Sequence, residues 1–115
     1  MFHELQNQIL KLKRSHKIIL VEGKKDKACL ESLGFKHVIE LNKRPLYKVV
    51  EQVASYYKEV VILTDLDKKG KQLFSYLNSG LQKYGVKVDN KFRNFLFKKT
   101  KLRQIEGLKK YIEHC

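Results

Sequence analysis

Residues 60–70 read Val-Val-Ile-Leu-Thr-Asp-Leu-Asp-Lys-Lys-Gly, and this stretch decides the predicted fold. Its first four residues are aliphatic, which is typical of a short strand buried on both faces. The apolar run stops abruptly before Asp65 and Asp67, and Gly70 follows them. In an open parallel sheet the ligand-binding groups lie at the carboxyl ends of the strands. The stretch therefore predicts a buried strand that leads directly into a functional site.

Strand and helix patterns alternate along the rest of the chain. We predict strands at 18–21, 37–41, 60–64 and 86–88, and helices at 2–14, 24–33, 45–57, 71–81 and 102–111. This alternation, with short connections, favours an α/β fold with a central, mostly parallel four-stranded sheet and helices on both faces. No repeat or linker divides the sequence, so we expect one domain over 1–115, with a core at about 18–88 and a basic, aromatic segment at 90–115.

The charge of the chain indicates an anionic partner. Lys and Arg number 25 against 12 Asp and Glu among 115 residues, which gives a formal net charge of +13. Nucleic acid is the expected partner of such a protein, although an anionic membrane surface would also attract it. No segment approaches the roughly 18 apolar residues of a membrane-spanning helix, and the start of the chain lacks the apolar run of a signal peptide. We therefore expect a cytoplasmic protein without a membrane partner.

A second apolar strand also ends in an acid, Glu22, which is followed by Gly23. If the two strands are neighbours at the centre of the sheet, Glu22 converges with Asp65 and Asp67 on one crevice. Carboxylates held this close repel each other unless a cation joins them, and a hard divalent metal prefers oxygen ligands. We therefore predict a metal site. Gly23 and Gly70 are predicted at turns where a bulky side chain would block the approach of the ligand.

The spacing of the acids excludes two familiar binding loops. An EF-hand loop beginning at Asp65 would need an acid or amide at its fifth position and a glutamate at its twelfth, where this chain has Lys69 and Tyr76. A phosphate-binding Walker loop would need more glycines and a hydroxyl residue than 22–26 provides. A purely structural role, in which the acids cap helices or pair with lysines, stays open. Asp26, on the first turn of a predicted helix, would either cap that helix or face the crevice.

Two stretches resemble the signature motifs of the Toprim domain: Ile-Ile-Leu-Val-Glu-Gly-Lys-Lys-Asp at 18–26, and the stretch 60–70. This domain is shared by type IA and type II topoisomerases, bacterial primases, recombination mediators and small ribonucleases that mature ribosomal RNA. The resemblance extends over most of the predicted core. It implies a Rossmann-like α/β fold and Mg²⁺, with Mn²⁺ as the alternative, bound through Asp65 and Asp67. It also implies that Glu22 moves a proton or shares the metal.

The match to this family has informative departures. Asp26 matches the acid that follows the Glu-Gly pair of the first motif. Topoisomerase versions have further acid around the glycine of the second motif, where this chain has Lys68, Lys69 and Lys71. The sequence also leaves no room for a separate domain with a strand-breaking tyrosine, and it has no zinc ribbon of the primase type. The resemblance therefore implies a stand-alone Toprim protein, closest to the ribonucleases of ribosomal RNA processing.

The expected activity is magnesium-dependent phosphoryl transfer, by a nuclease that acts on RNA or DNA. Glu22 would activate water or protonate the leaving oxygen. Six lysines flank the acids and would bind the neighbouring phosphates: Lys24, Lys25, Lys27, Lys68, Lys69 and Lys71. The alternative is a non-catalytic module that binds nucleic acid or a protein partner and retains the metal site. The segment 91–103 has two interpretations, a base-stacking surface or a part of the core with a basic outer face.

Overall fold

The computed structural model describes residues 2–113 and has a sheet of four parallel strands at its centre. The strands are β1 (Ile18–Val21), β2 (Val38–Glu40), β3 (Glu59–Ile62) and β4 (Lys87–Asp89). Their order is β2-β1-β3-β4. The predicted α/β fold is confirmed, and in the described residues the sheet is wholly rather than mostly parallel. Met1, His114 and Cys115 lie outside the described residues, and with them the two ends of the predicted domain.

The helices occupy the connections between the strands and both ends of the described chain. They are α1 (Phe2–Ser15), α2 (Lys24–Ser32), α3 (Leu46–Tyr56), α4 (Lys68–Lys83), α5 (Lys91–Lys99), a 3₁₀ turn (Ile105–Gly107) and α6 (Leu108–Glu113). α4 begins at Lys68 rather than at the predicted residue 71, because the side chain of Asp67 caps it. The helix predicted at 102–111 starts later, as the 3₁₀ turn followed by α6. Between residues 2 and 113 no helix is long and apolar enough to cross a membrane.

The sheet separates two hydrophobic cores, since β1 and β3 are apolar on both faces. Ile19 and Val61 pack in one core with side chains of α1, α2, α5 and α6. Ile18 and Val60 pack in the other core with side chains of α3 and α4. Successive residues of a strand point to opposite faces, so an apolar run without alternation is what a central strand of such a sheet requires.

The register of the sheet brings the two acidic stretches to the same edge. Ile18 pairs with Val60 and Leu20 with Ile62, so β1 and β3 are in-register neighbours at the centre of the sheet. Because the two strands are parallel, both leave the sheet at its carboxyl edge. The chain segments that follow them, beginning with residues 22 and 63, therefore meet there.

Candidate active site

A hydrogen bond joins the two acidic turns directly. The backbone N–H of Asp65 donates to Oε1 of Glu22 at 2.9 Å, across 43 residues of sequence. The carboxylate of the first turn thus supports the backbone of the second. The two turns are therefore bonded to each other at the carboxyl edge of the sheet and form one structural unit.

Asp65 is the most enclosed acid of the second turn. The residue is only 8% exposed, and its Oδ1 accepts a hydrogen bond of 2.8 Å from the backbone N–H of Ile105. Burial raises the pKa of Asp65 to about 6, while the hydrogen bond from Ile105 opposes the rise. The rise also has contributions from the negative charges of three nearby acids: Asp26, Glu22 and Asp67. The carboxylates are therefore close enough to repel each other, and a bound cation would relieve this repulsion.

Asp67 is exposed and has a structural contact of its own. Its backbone is extended, with φ −79° and ψ 177°, and its Oδ1 accepts the N–H of Gly70 at 2.7 Å. This is the usual geometry of a helix N-cap. The structural role that the sequence left open is therefore present for one oxygen of Asp67.

Gly70 is buried where the first turn of α4 meets the acidic turn. A Cβ atom there would lie 2.0 Å from the carbonyl oxygen of Asp65 and 2.8 Å from Oε1 of Glu22. The hydroxyl of Thr64 also donates to the carbonyl of Gly70 at 2.8 Å. The missing side chain makes room for the protein's own acids and backbone, so α4 can begin directly against them.

Gly23 lies in more open surroundings. No described atom beyond its chain neighbours lies within 4 Å of the Cβ that a substitution would add. Its N–H donates to Oδ2 of Asp26 at 3.2 Å, so Asp26 caps the start of α2. Burial raises the pKa of Asp26, the hydrogen bond from Gly23 opposes this, and the charge of Glu22 adds to it. Asp26 therefore caps its helix and also belongs electrostatically to the acidic cluster.

The six lysines occupy equivalent positions on two helices. α2 begins Lys-Lys-Asp-Lys at 24–27, and α4 begins Lys-Lys-Gly-Lys at 68–71. All of them are exposed except Lys27, which is half-buried, and between residues 2 and 113 none of the six forms an ion pair. The positive charges of these lysines add to the positive end of the helix dipole at each helix N-terminus. Both helix starts therefore attract anions.

α5 supplies a contact to the acidic turn that the sequence did not reveal. Phe92 and Leu96 are buried in the core, which favours the core interpretation of this segment. Between them Arg93 is only 7% exposed, and it donates from Nε to the carbonyl of Thr64 and from Nη2 to that of Asp65, both at 3.1 Å. The one sequence signal was an arginine on the inward side of an amphipathic helix.

The carboxylates suit a hard divalent cation by their chemistry, and their mutual repulsion favours one. Glu22, Asp65 and Asp67 each use one oxygen to accept a backbone N–H. Within the described part of the chain, no three His, Cys, Asp or Glu side chains are already arranged as a metal-binding group. The residues therefore fit a metal by donor type, and each carboxylate has a second oxygen besides the one that accepts a backbone N–H.

Comparison with known proteins gives consistent results for sequence and fold. A model of the Toprim domain matches residues 16–90. A UPF0292 protein of Pyrococcus abyssi is 42% identical over 99 residues, which are 85% of this chain and 74% of the relative. A UPF0292 protein of Methanocaldococcus jannaschii is 36% identical over 107 residues, which are 90% of this chain and 84% of the relative. A solved protein structure from Aquifex aeolicus superposes with a TM-score of 0.82 at 36% identity, over 89% of this chain and 95% of its own.

Proposed function

The chain belongs to the Toprim domain family, and from that premise we propose that it is a nuclease that hydrolyses phosphodiester bonds of RNA or DNA with magnesium. Family membership itself connects the chain to metal-dependent chemistry on nucleic acids. The reaction, the metal and the roles of individual residues are the proposal. A cytoplasmic location and an involvement in RNA processing belong to the same proposal.

One observation carries the proposal: the hydrogen-bonded unit of two acidic turns lies beside two lysine-rich helix starts. The link from the N–H of Asp65 to Glu22 joins the acids. The stretches 24–27 and 68–71 follow those acids directly in the chain. A phosphodiester needs negative ligands for a metal and positive groups for its flanking phosphates, and both are adjacent here.

In this mechanism Asp65 and Asp67 hold Mg²⁺ or Mn²⁺, and Glu22 shares it or moves a proton. The chemistry that the metal supplies when bound is neutralisation of the charge that develops at the scissile phosphate. Glu22 accepts a proton from the attacking water, or donates one to the oxygen that leaves when the P–O bond breaks. Gly23, Asp26 and Gly70 support the two turns.

The lysines bind the phosphates on either side of the scissile bond. Their side chains project from the first turns of α2 and α4, where the helix dipoles add to the attraction of an anion. The residues assigned to this role are Lys24, Lys25, Lys27, Lys68, Lys69 and Lys71. The excess of positive charge on the whole chain, +13, would draw nucleic acid to the protein.

The test is metal-dependent cleavage of structured RNA, single-stranded RNA and DNA, and duplex DNA. We expect Asp65→Asn combined with Asp67→Asn to lower cleavage by at least about 100-fold, because the metal ligands lose their charge. Binding in EDTA should change little, and the unfolding temperature at pH 7 should be no lower than that of wild type. Glu51→Gln, an exposed acid on α3, is the matched control and should cleave normally. A wild-type protein without metal-dependent cleavage of any substrate would refute the proposal.

A second candidate function is a non-catalytic module that binds nucleic acid or a protein partner. It is favoured by the acids' own hydrogen bonds, since Glu22 and Asp67 already stabilise the backbone of their turns. Glu22→Gln distinguishes the two functions. If the protein is a nuclease, Glu22→Gln should bind nucleic acid as wild type does and lose cleavage. If it is a binding module, both wild type and Glu22→Gln should bind the partner tightly and neither should cleave.

A further inference from the structure

Arg93 is a buried cation that contacts the acidic turn through the backbone. It is 7% exposed, and its guanidinium carbon lies 4.4 Å from the ring centre of Phe74 and 5.3 Å from that of Phe97. Burial lowers the pKa of Arg93, while the charges of Asp65 and Glu22 raise it. The side chain remains charged, because arginine is not deprotonated in proteins. Its desolvation is offset by the two aromatic rings and the nearby acids.

The hydrogen bonds of Arg93 are directed to carbonyl groups. Nε donates to the carbonyl of Thr64 and Nη2 to the carbonyl of Asp65, each at 3.1 Å. Two donors of one planar guanidinium thus bind the carbonyls of two consecutive residues, which fixes the peptide that links Thr64 to Asp65. A bidentate pair with the carboxylate of Asp65 would instead compete with a cation for the same oxygens.

The segment after α5 makes two further hydrogen bonds with this turn. The N–H of Leu66 donates to the carbonyl of Arg103 at 2.8 Å, and the N–H of Ile105 donates to the Asp65 side chain at 2.8 Å. With the Glu22 contact, the turn is held by the turn after β1, by α5 and by the segment that follows α5. Among these contacts, only Arg93 provides two hydrogen bonds from one side chain.

We propose that Arg93 is a positioning residue, which fixes the backbone of the acidic turn so that Asp65 meets a divalent cation without rearrangement of the turn. The claim that Asp65 binds a cation rests on the proposed function, whereas the claim that Arg93 restrains the backbone of the turn does not. Arg93→Lys is the sharpest variant, since it keeps the charge and loses the planar fork. The matched control is Arg103→Lys, because Arg103 is exposed and contacts the turn only through its own carbonyl.

Two measurements test the proposal. In EDTA, amide hydrogen exchange at Leu66 and Ile105 should be about tenfold faster in Arg93→Lys than in wild type. Titration with Mn²⁺, followed by paramagnetic resonance, should show affinity weakened about 10- to 100-fold, as for other residues that orient metal ligands. Nucleic-acid binding in EDTA should be unchanged, and Arg103→Lys should match wild type throughout.

Equal exchange in Arg93→Lys and wild type would overturn the proposal, as would a loss of Mn²⁺ affinity no larger than that of Arg103→Lys. A wild-type protein that binds no Mn²⁺ contradicts the proposed function alone, since the exchange in EDTA still tests the hold on the turn. If Arg93→Lys does not fold, Phe97→Leu removes one stacking ring and keeps both hydrogen bonds. It should accelerate the same exchange by about two- to fivefold, and no acceleration would overturn the proposal.

Discussion

The two acidic turns are similar in sequence and differ in how they are held. Each follows an apolar strand and leads into a helix that begins with the same lysine spacing. The turn after β3 is enclosed: Asp65 is 8% exposed, and Gly70 has protein atoms within 3 Å of its absent Cβ. The turn after β1 has open space around Gly23 and a local cap from Asp26.

This difference is consistent with the separate roles proposed for the two turns. The turn after β3 is fixed by contacts from distant parts of the chain, which suits a residue that must hold a cation in one position. The turn after β1 contributes Glu22, which reaches across and supports the other turn. A group that moves a proton needs a side chain that can change partners, and Glu22 extends from the less enclosed turn.

Alanine substitution of the two glycines should distinguish the two turns most strongly. Gly70→Ala should destabilise the protein by about 3 kcal/mol or more, because the new Cβ would lie 2.0 Å from a backbone oxygen that cannot move aside cheaply. Gly23→Ala should stay within about 1 kcal/mol of wild type, since its φ of −145° is ordinary and the space is open. Urea unfolding measures both. Equal stability of the two variants would mean that the turns are held alike.

The next effect concerns the pH dependence of stability in EDTA. The pKa of Asp65 is raised from 3.8 to about 6 in the folded protein, so the folded state binds the proton more tightly than the unfolded state. The contribution of Asp65 to stability is therefore greatest at low pH and is lost as the pH rises from about 4 to about 6. Asp65→Asn removes this loss. The free energy of unfolding of the variant minus that of wild type should therefore be about 2 kcal/mol more favourable to the variant at pH 7 than at pH 4.

The matched variant in the other turn is Asp26→Asn. The pKa of Asp26 is also raised by burial, so its effect should have the same sign and a smaller size. Thermal unfolding of the three proteins between pH 4 and pH 7 is the measurement. A wild-type stability that follows the same pH curve as Asp65→Asn would show that the carboxylate of Asp65 is not strained by its surroundings.

The sheet and its acidic edge could be predicted from sequence because local patterns determine them. The apolar runs at 18–21 and 60–63 define central strands, and parallel pairing alone brings their carboxyl ends together. The predicted start of α4 is three residues too late, because the metal-ligand interpretation of Asp67 was preferred over the helix cap, which the sequence left open. Helix caps and metal ligands draw on the same residue types, so the sequence does not separate them.

Other features depend on tertiary packing and leave little trace in the sequence. Gly23 and Gly70 occupy similar motifs, yet only the absent Cβ of Gly70 has close neighbours, which are the backbone of Asp65 in its own turn and the side chain of Glu22 in the other turn. The partners of Arg93 are backbone carbonyls 28 and 29 residues away, and a carbonyl has no sequence signature. The enclosure of Asp65 by Ile105 likewise involves a backbone N–H, 40 residues away.

Substitutions at Asp67, which caps α4 and is proposed to bind the metal, should have the smallest effect on stability. Asp67→Ala should destabilise the protein by about 1 kcal/mol through loss of the cap to Gly70, whereas Asp67→Ser keeps a capping oxygen and should stay near wild type. Asp67→Ser also removes a carboxylate, so its Mn²⁺ affinity should fall while its stability in EDTA does not. If its Mn²⁺ affinity is unchanged, Asp67 is a cap alone, and the cation must depend on Asp65 of the enclosed turn and Glu22 of the other turn.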